Sequence, residues 1–389
     1  MEERPVFASA SASGGSLEAA VRRVVASVRE QLAGARPDVA FVFVSPEYGG
    51  GIATLGRRVR ARLGARHLLG CTAGGVLERA GEIETGPALS VLAGTLPGAR
   101  MQPFELRHDQ LLTMPDPDVL RAAVGFPESA RPFFVVLADP FTLDADLLLT
   151  RLDEAYEGST ATGGLASGGT RPGRHLLYMD GAVSLFGAVG LAISGVRVRS
   201  AVSQGCRPIG RRFVITRAAS NKVLTLSGRP ALQVLQETVS GLPDADRELA
   251  QRNLLIGRVA HEAQDDFGRG DFVVRNLLGV VPEEEAVIVA DKVRVGQTVQ
   301  LQLRDGGSAS RDFADVLSAA RAEAQPAAAL VFSCAGRGSG LFGEGDHDVR
   351  AVGRHLGDVP LAGFFCNGEI GQVGGRNFLH GFTASLALF

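Results

Sequence analysis

Two cysteines, an arginine and a glutamate follow closely behind two apolar runs near the C-terminal end of this 389-residue sequence. Ala329-Leu330-Val331-Phe332 leads into Ser333-Cys334-Ala335-Gly336-Arg337-Gly338, and Leu361-Ala362-Gly363-Phe364-Phe365 leads into Cys366-Asn367-Gly368-Glu369-Ile370-Gly371. Buried strands that end in small residues, a thiol and one charged group put polar chemistry at the rim of a sheet, where α/β proteins bind ligands. Glu369 in such a turn can hold an ammonium group, or act as a base if burial raises its pKa. Its carboxylate can equally accept backbone N–H groups and stiffen the turn. The planar fork of Arg337 suits a carboxylate or phosphate, and it can also bridge to Glu369. Cys334 or Cys366 becomes a nucleophile only beside a base or a helix N-terminus, and otherwise packs as a small hydrophobe. His347 and His380 are the candidate bases, and spacing alone brings neither to a thiol.

Three further sets carry two readings each. Asp346-His347-Asp348 offers metal-ligand types, but successive helical residues point apart, and Asp346 serves more simply as the N-cap of a helix through Val349-Arg350-Ala351-Val352. The glycine-rich stretches Gly163–Gly169 and Gly336–Gly340 could cradle phosphate; no Gly-Lys-Ser/Thr follows, and tight strand–helix turns are the simpler reading. Asp271 and Arg275 share one face of an extended strand, with Asn276 on the other. That face lines a cleft or makes an ion pair across a sheet, so Arg275 and Asn276 join the candidates.

The elements that must position these residues recur along the chain. Phe41-Val42-Phe43-Val44, a polar turn and a helix to about Leu63 precede Leu68-Leu69-Gly70-Cys71 and a glycine-rich turn. Phe133-Phe134-Val135-Val136-Leu137, a helix over about Leu143–Tyr156 and Thr160–Gly169 repeat that order, and the C-terminal segment repeats it again. Strands alternating with helices imply βα units with some parallel pairing, while Leu89–Ala93, Ala182–Phe186, Ala188–Ile193 and Glu285–Val289 read as hairpins or meanders. The expectation is an α/β protein of two tightly associated domains with mixed, partly parallel sheets covered by helices. A boundary near residue 226 precedes the helix that opens at Pro230-Ala231, dividing the chain into 1–226 and 227–389.

Composition narrows the function classes. With 45% hydrophobic and 21% charged residues the chain can bury a large core. A net charge of -2 gives no general attraction to nucleic acid or anionic membrane, and the Arg57–Arg62 run reads as a solvated helix face. No apolar stretch approaches the roughly 20 residues of a spanning helix, and no secretory h-region follows Met1. Four cysteines without CxxC or Cys/His ligand spacing are expected to be reduced thiols in a cytoplasmic protein, with no metal and no cofactor.

The chain resembles the FIST family, the paired FIST N and FIST C domains of bacterial sensory proteins and of the F-box protein 22 family. The N-terminal resemblance rests on Leu69-Gly70-Cys71-Thr72-Ala73-Gly74-Gly75-Val76 and Glu82–Ser90. The C-terminal resemblance rests on Gly228–Ala231, Gly270–Asn276, Phe332–Gly338 and Pro360–Gly371. It implies two FIST domains over about Phe41 to Phe389 and brings Cys71 and Thr72 into the candidate set beside Cys334, Arg337, Cys366, Asn367, Gly368 and Glu369. Many bacterial members carry a glutamate where this chain has Val76, so an acid is kept only at Glu369. No F-box precedes the region, so an adaptor role does not carry over. The resemblance implies an intracellular sensor of a small polar metabolite, with amino-acid-like compounds as the usual suggestion, signalling through a separate protein partner. An enzyme using Glu369 or a cysteine, and a protein-interaction scaffold without ligand, are the rival readings.

Overall fold

The computed structural model describes residues 4–262 and 267–389, which divide into two compact units. One comprises the chain up to Val202 with Ala314–Leu379 and Ala384–Phe389; the other comprises Ser203–Phe313 and His380–Thr383. The boundary expected near residue 226 falls at the end of a strand inside the second unit, so the compact units partition the chain differently from a simple halving.

The first copy of the recurring order runs β1 (Val6–Ser13), α1 (Leu17–Gln31), β2 (Val39–Val44), α2 (Leu55–Leu63), β3 (His67–Thr72), the hairpin β4 (Val76–Glu78) and β5 (Gly81–Ile83), and β6 (Ala88–Thr95). The second runs β7 (Arg100–Leu106), α3 (His108–Thr113), α4 (Pro117–Val124), β8 (Phe133–Ala138), α5 (Ala145–Ala155), β9 (Ala161–Leu165), the hairpin β10 (Leu177–Met179) and β11 (Ala182–Ser184), and β12 (Ala188–Ser194). The third opens with β13 (Arg199–Gln204). The chain then makes β14 (Cys206–Ala219), β15 (Lys222–Leu226), β16 (Arg229–Pro230), α6 (Ala231–Ser240), α7 (Asp244–Asn253), β17 (Leu254–Val259), β18 (Phe272–Val281), β19 (Ala286–Val289) and β20 (Thr298–Arg304). The third copy resumes with α8 (Gly306–Glu323), β21 (Ala329–Cys334), α9 (Ser339–Phe342), α10 (His347–Leu356), β22 (Leu361–Cys366), the hairpin β23 (Glu369–Val373) and β24 (Arg376–His380), and β25 (Thr383–Leu388).

Three six-stranded sheets result, with one shared topology: β1-β6-β2-β3-β10-β11, β7-β12-β8-β9-β23-β24 and β13-β25-β21-β22-β4-β5. Each centres on a parallel pair (β2–β3, β8–β9, β21–β22) flanked by the antiparallel return strand. Each copy's hairpin leaves its own sheet. The first copy's β4 pairs with β22, the second's β10 with β3, and the third's β23 with β9, closing a cycle of three exchanges. The loose repetition of the sequence is therefore a threefold structural repeat.

One glycine in each copy shows why the backbone is the same. Gly70, Gly163 and Gly363 lie in register opposite Val42, Val136 and Val331. A Cβ there would sit 2.1, 1.8 and 1.9 Å from the carbonyl oxygen of that valine, so close strand approach admits no side chain. The parallel strands are apolar throughout because both faces are covered. On β2, Phe41 and Phe43 enter the central core while Ala40, Val42 and Val44 pack beneath α1 and α2. The central core draws on all three copies, with Phe43 stacked on Phe364 and edge-on to Phe332. Each such buried ring contributes about 2–3 kcal/mol of transfer free energy.

The second unit departs from the expected mixed sheets. Strands β14-β20-β17-β18-β19-β15 form an all-antiparallel ring that the β14–β15 pairing closes, with β16 added to β15. Pro208–Gly210 and Phe213–Thr216 belong to the single bulged β14. Its alternating buried and exposed residues are those of a barrel wall rather than a two-faced parallel strand.

Candidate functional site

The glycine-rich turns after β3, β9 and β22 meet. Phe365 N–H donates to the Gly75 carbonyl at 3.0 Å and Leu165 N–H to the Gly368 carbonyl at 2.8 Å, linking the third copy to the first and the second to the third. Asn367 N–H reaches the Leu165 carbonyl at 3.1 Å, and Ser167 N–H the Thr72 carbonyl at 3.3 Å. Between the first and third copies a side chain completes the junction: the Ser167 hydroxyl accepts from Gly74 N–H at 2.8 Å and donates to the Phe365 carbonyl. The Gly163–Gly169 stretch is thus strand up to Leu165, and its turn is consumed by contacts between copies.

By ladder register Val76, Leu177 and Glu369 occupy one structural position, each opening its exchanged strand opposite the residue that follows Gly363, Gly70 or Gly163, namely Phe364, Cys71 and Gly164. The acid is present only in the third copy, where Glu369 is fully buried at the start of β23 opposite Gly164. Asn367 beside it is exposed, and its Nδ2 donates to the Ala166 carbonyl at 3.0 Å. Gly368 is buried against Leu165 and Leu379. Cys366 packs in the central core; burial pushes its thiol up, and Glu369, Cys71 and Cys334 push further in the same direction. Cys71 is likewise raised by burial, and Thr72 spends its hydroxyl accepting Leu176 N–H at 3.0 Å. Cys334 is partly exposed at the end of β21. Glu369, Cys366, Cys71, Cys334 and Arg337 thus share one neighbourhood in which their charges act on one another.

Arg337 is 2% exposed and makes a bidentate pair with Asp348, Nε to Oδ2 at 2.9 Å and Nη2 to Oδ1 at 2.7 Å. Ser333 Oγ donates to the same carboxylate at 2.7 Å, and His347 Nδ1 lies 2.9 Å from it. Burial alone would raise the Asp348 pKa, but the Arg337 charge and these hydrogen bonds hold it well below the usual carboxylate range. His347 stacks on Phe342, whose ring also lies under the Arg337 guanidinium. Asp348, eleven residues further on, is a partner for Arg337 that the sequence reading did not name.

The cap expected from Asp346 is corrected. Asp346 has φ 62° and its side chain makes no cap hydrogen bond to its own helix. Its Oδ1 instead accepts Glu82 N–H at 2.7 Å, and the Glu82 carboxylate accepts Asp348 and Val349 N–H at 2.8 and 3.0 Å. The left-handed backbone turns the Asp346 side chain away from the first helical N–H groups, and the first copy's exchanged hairpin supplies the acid they require. Burial and the nearby Asp348 charge push the Glu82 carboxyl up to about 7. Glu84, on the same segment, accepts Ser339 N–H and Oγ at 2.9 and 2.7 Å, so that part of the Gly336–Gly340 turn faces a carboxylate.

Asp139 and His175 are a polar pair that the sequence reading missed. Asp139 follows β8 as Ser45 follows β2, at the position that Cys334 fills as the last residue of β21. It is fully buried with Nδ1 of His175 at 2.7 Å and Thr142 Oγ1 at 2.6 Å, while His175 Nε2 accepts Gly169 N–H at 3.1 Å. No short motif joins residues so far apart in sequence. Arg275 and Asn276 lie on β18 of the second unit; Arg275 Nε is 3.6 Å from Asp291, and Asn276 is exposed. Among the described residues no group of three His, Cys, Asp or Glu side chains is arranged to hold a metal ion, and no helix is long and apolar enough to cross a membrane.

Relatives share this whole arrangement of sequence. The chain is 38% identical over 372 residues to the uncharacterized protein Rv0628c of Mycobacterium tuberculosis, covering 95% of this chain and 96% of the relative. It is 38% identical over 370 residues to the uncharacterized protein Mb0898c of Mycobacterium bovis, covering 93% and 92%. A crystal structure of a cyanuic acid hydrolase from A. caulinodans aligns over 99% of both chains at a TM-score of 0.33 and 8% identity, too distant a likeness to bear on fold or function. The FIST N domain model matches residues 38–229 and the FIST C domain model residues 231–372. The chain therefore belongs to the FIST family, whose domains are in general ligand-binding sensory domains of signal transduction.

Proposed function

We propose that this protein binds a small polar, amino-acid-like metabolite at the third copy's strand ends and reports its presence to a separate partner protein. Glu369 is the group for an ammonium or hydrogen-bond donor, with Cys334, Asn367 and Gly368 shaping the rim. Arg337 contributes through its field and by holding the turn, since two of its nitrogens are spent on Asp348. Cys366, Cys71 and Thr72 form the floor of the same neighbourhood, and Arg275 and Asn276 remain second-rank candidates in the other unit.

The observation that carries this reading is the loss of symmetry at Glu369. The same backbone position is filled by Val76 and Leu177 in the other copies. The repeat therefore folds without an acid there, and burying a carboxylate costs free energy that packing does not require. A group retained against that cost at a strand end is a candidate for recognition.

The test is thermal unfolding of the protein and of Glu369→Gln against amino acids, organic acids and nucleotides. A ligand at about 100 times its Kd adds about 2.7 kcal/mol to stability. A selective rise in Tm that Glu369→Gln abolishes is the expected result. A folded protein with no shift for any compound would move the reading to a partner-binding scaffold.

A further inference from the structure

The third copy differs from the others in sulfur as well as in charge. Cys334 and Cys366 are register partners on the adjacent parallel strands β21 and β22. Ala335 N–H donates to the Cys366 carbonyl at 2.8 Å, so the ladder holds Cys334 opposite Cys366 to the end of β21. Alternation along both strands puts the two thiols on the face from which Leu330, Phe332, Ala362 and Phe364 enter the central core. Neighbouring strands lie about 4.8 Å apart, within the roughly 4.4–6.8 Å between Cα atoms that a disulfide spans. The corresponding positions hold Ser45 with Ala73 and Asp139 with Ala166, so only the third copy carries the pair.

Exposure ranks the two sulfurs. Cys366 is fully buried, whereas Cys334 is partly exposed at the strand end. A soluble oxidant meets Cys334 first, and Cys366 stands behind it. The Arg337 charge acts on Cys334, while Glu369 acts on Cys366.

We propose that Cys334 and Cys366 are a reversible oxidation site, Cys334 reacting with hydroperoxides and Cys366 resolving the product to a disulfide. The Cys334 thiolate attacks a peroxide oxygen, the O–O bond breaks, and the alkoxide or hydroxide leaves and takes up a proton. Cys334 is then a sulfenic acid. Cys366 gives up its proton and attacks the Cys334 sulfur, the S–O bond breaks, and water leaves. The two electrons taken from the sulfurs have reduced the peroxide, and a dithiol reductant returns them. Burial of Cys366 keeps little of it as thiolate, so the second step is the slow one. This site stands independently of the metabolite reading.

The full chain is treated with hydrogen peroxide, its remaining thiols are blocked under denaturing conditions, and its peptides are mapped by mass spectrometry. The expected result is a fall in titratable thiols from four to two, a Cys334–Cys366 cross-linked peptide, and full recovery with dithiothreitol. Cys334→Ser is expected to lose no thiols to a disulfide under the same treatment. Oxidation of Cys334 that runs on to sulfinic acid without a cross-link, a Cys71–Cys366 bond, or a disulfide between chains would each overturn the proposal. The wild-type cross-link is read directly, so the outcome does not depend on how well the variant folds.

Discussion

The second and third copies bring the same backbone to the same place and then spend it differently. In the second, the residue at the C-terminal edge of the first parallel strand, just past Ala138, is Asp139, closed in by His175 and Thr142 and fully buried. In the third it is Cys334, partly exposed, with Glu369 buried nearby and an Arg337–Asp348 pair beneath the turn. One strand end has become a sealed polar pin, while the other leaves a thiol partly exposed beside buried charged groups. A repeat fixes where side chains project, and local substitution decides whether that place is structural or chemical.

If the copies share one backbone requirement, the glycine facing a valine carbonyl must be equally intolerant in each. Gly363→Ala and Gly163→Ala are each expected to cost about 4–5 kcal/mol, near the top of the range for single substitutions, because β-strands would have to part. Urea unfolding of both variants checks this, and a mild effect in either copy would break the equivalence. Asp348→Asn sharpens the contrast in charge. It leaves the Arg337 guanidinium buried without its counter-ion and is expected to cost about 3 kcal/mol at pH 7. Because the Asp348 pKa is depressed, its stabilisation is present above the ordinary carboxyl pKa and fades as pH falls below it, so parent and variant should converge in acid.

The smallest effect concerns the hairpin exchange. Glu82 has its pKa raised from 4.5 to about 7, so between those values the folded chain holds a proton that the unfolded chain has released. Stability from this group therefore falls as pH rises through that window and is level above it. Glu82→Gln keeps an acceptor for Asp348 and Val349 N–H and removes the titration. Relative to the parent it is expected to gain about 2–3 kcal/mol between pH 5 and pH 8, measured by urea unfolding at the two values. An unchanged difference would show that Glu82 does not titrate in that range.

Much of this architecture was legible in the sequence. Apolar runs such as Phe41–Val44 and Phe133–Leu137, each followed by a helix and a glycine-rich segment, identify the parallel pairs because a strand covered on both faces has nowhere to place a polar side chain. The family motifs singled out the strand ends, and Val76 standing in place of an acid was visible without coordinates. The barrel was not legible as a barrel: its strands alternate in short, arginine-interrupted stretches such as Arg211-Arg212-Phe213-Val214-Ile215, and closure is a property of pairing rather than of any one strand. Nor were the partners legible. Arg337 with Asp348, Glu82 capping α10, Asp139 with His175 and Ser167 joining two other copies all connect segments whose separation in sequence carries no periodic signal.

What the sequence by itself determined is thus the recurring strand–helix–strand unit, the glycines that its close strand pairing demands and the residue types at each strand end. These are local properties, set by steric approach and by the pattern of apolar side chains. Only the tertiary structure decided that the hairpins pass from copy to copy, that the three turns meet, and which charge answers which. Those outcomes depend on which distant backbone groups and ions can satisfy one another once water is excluded.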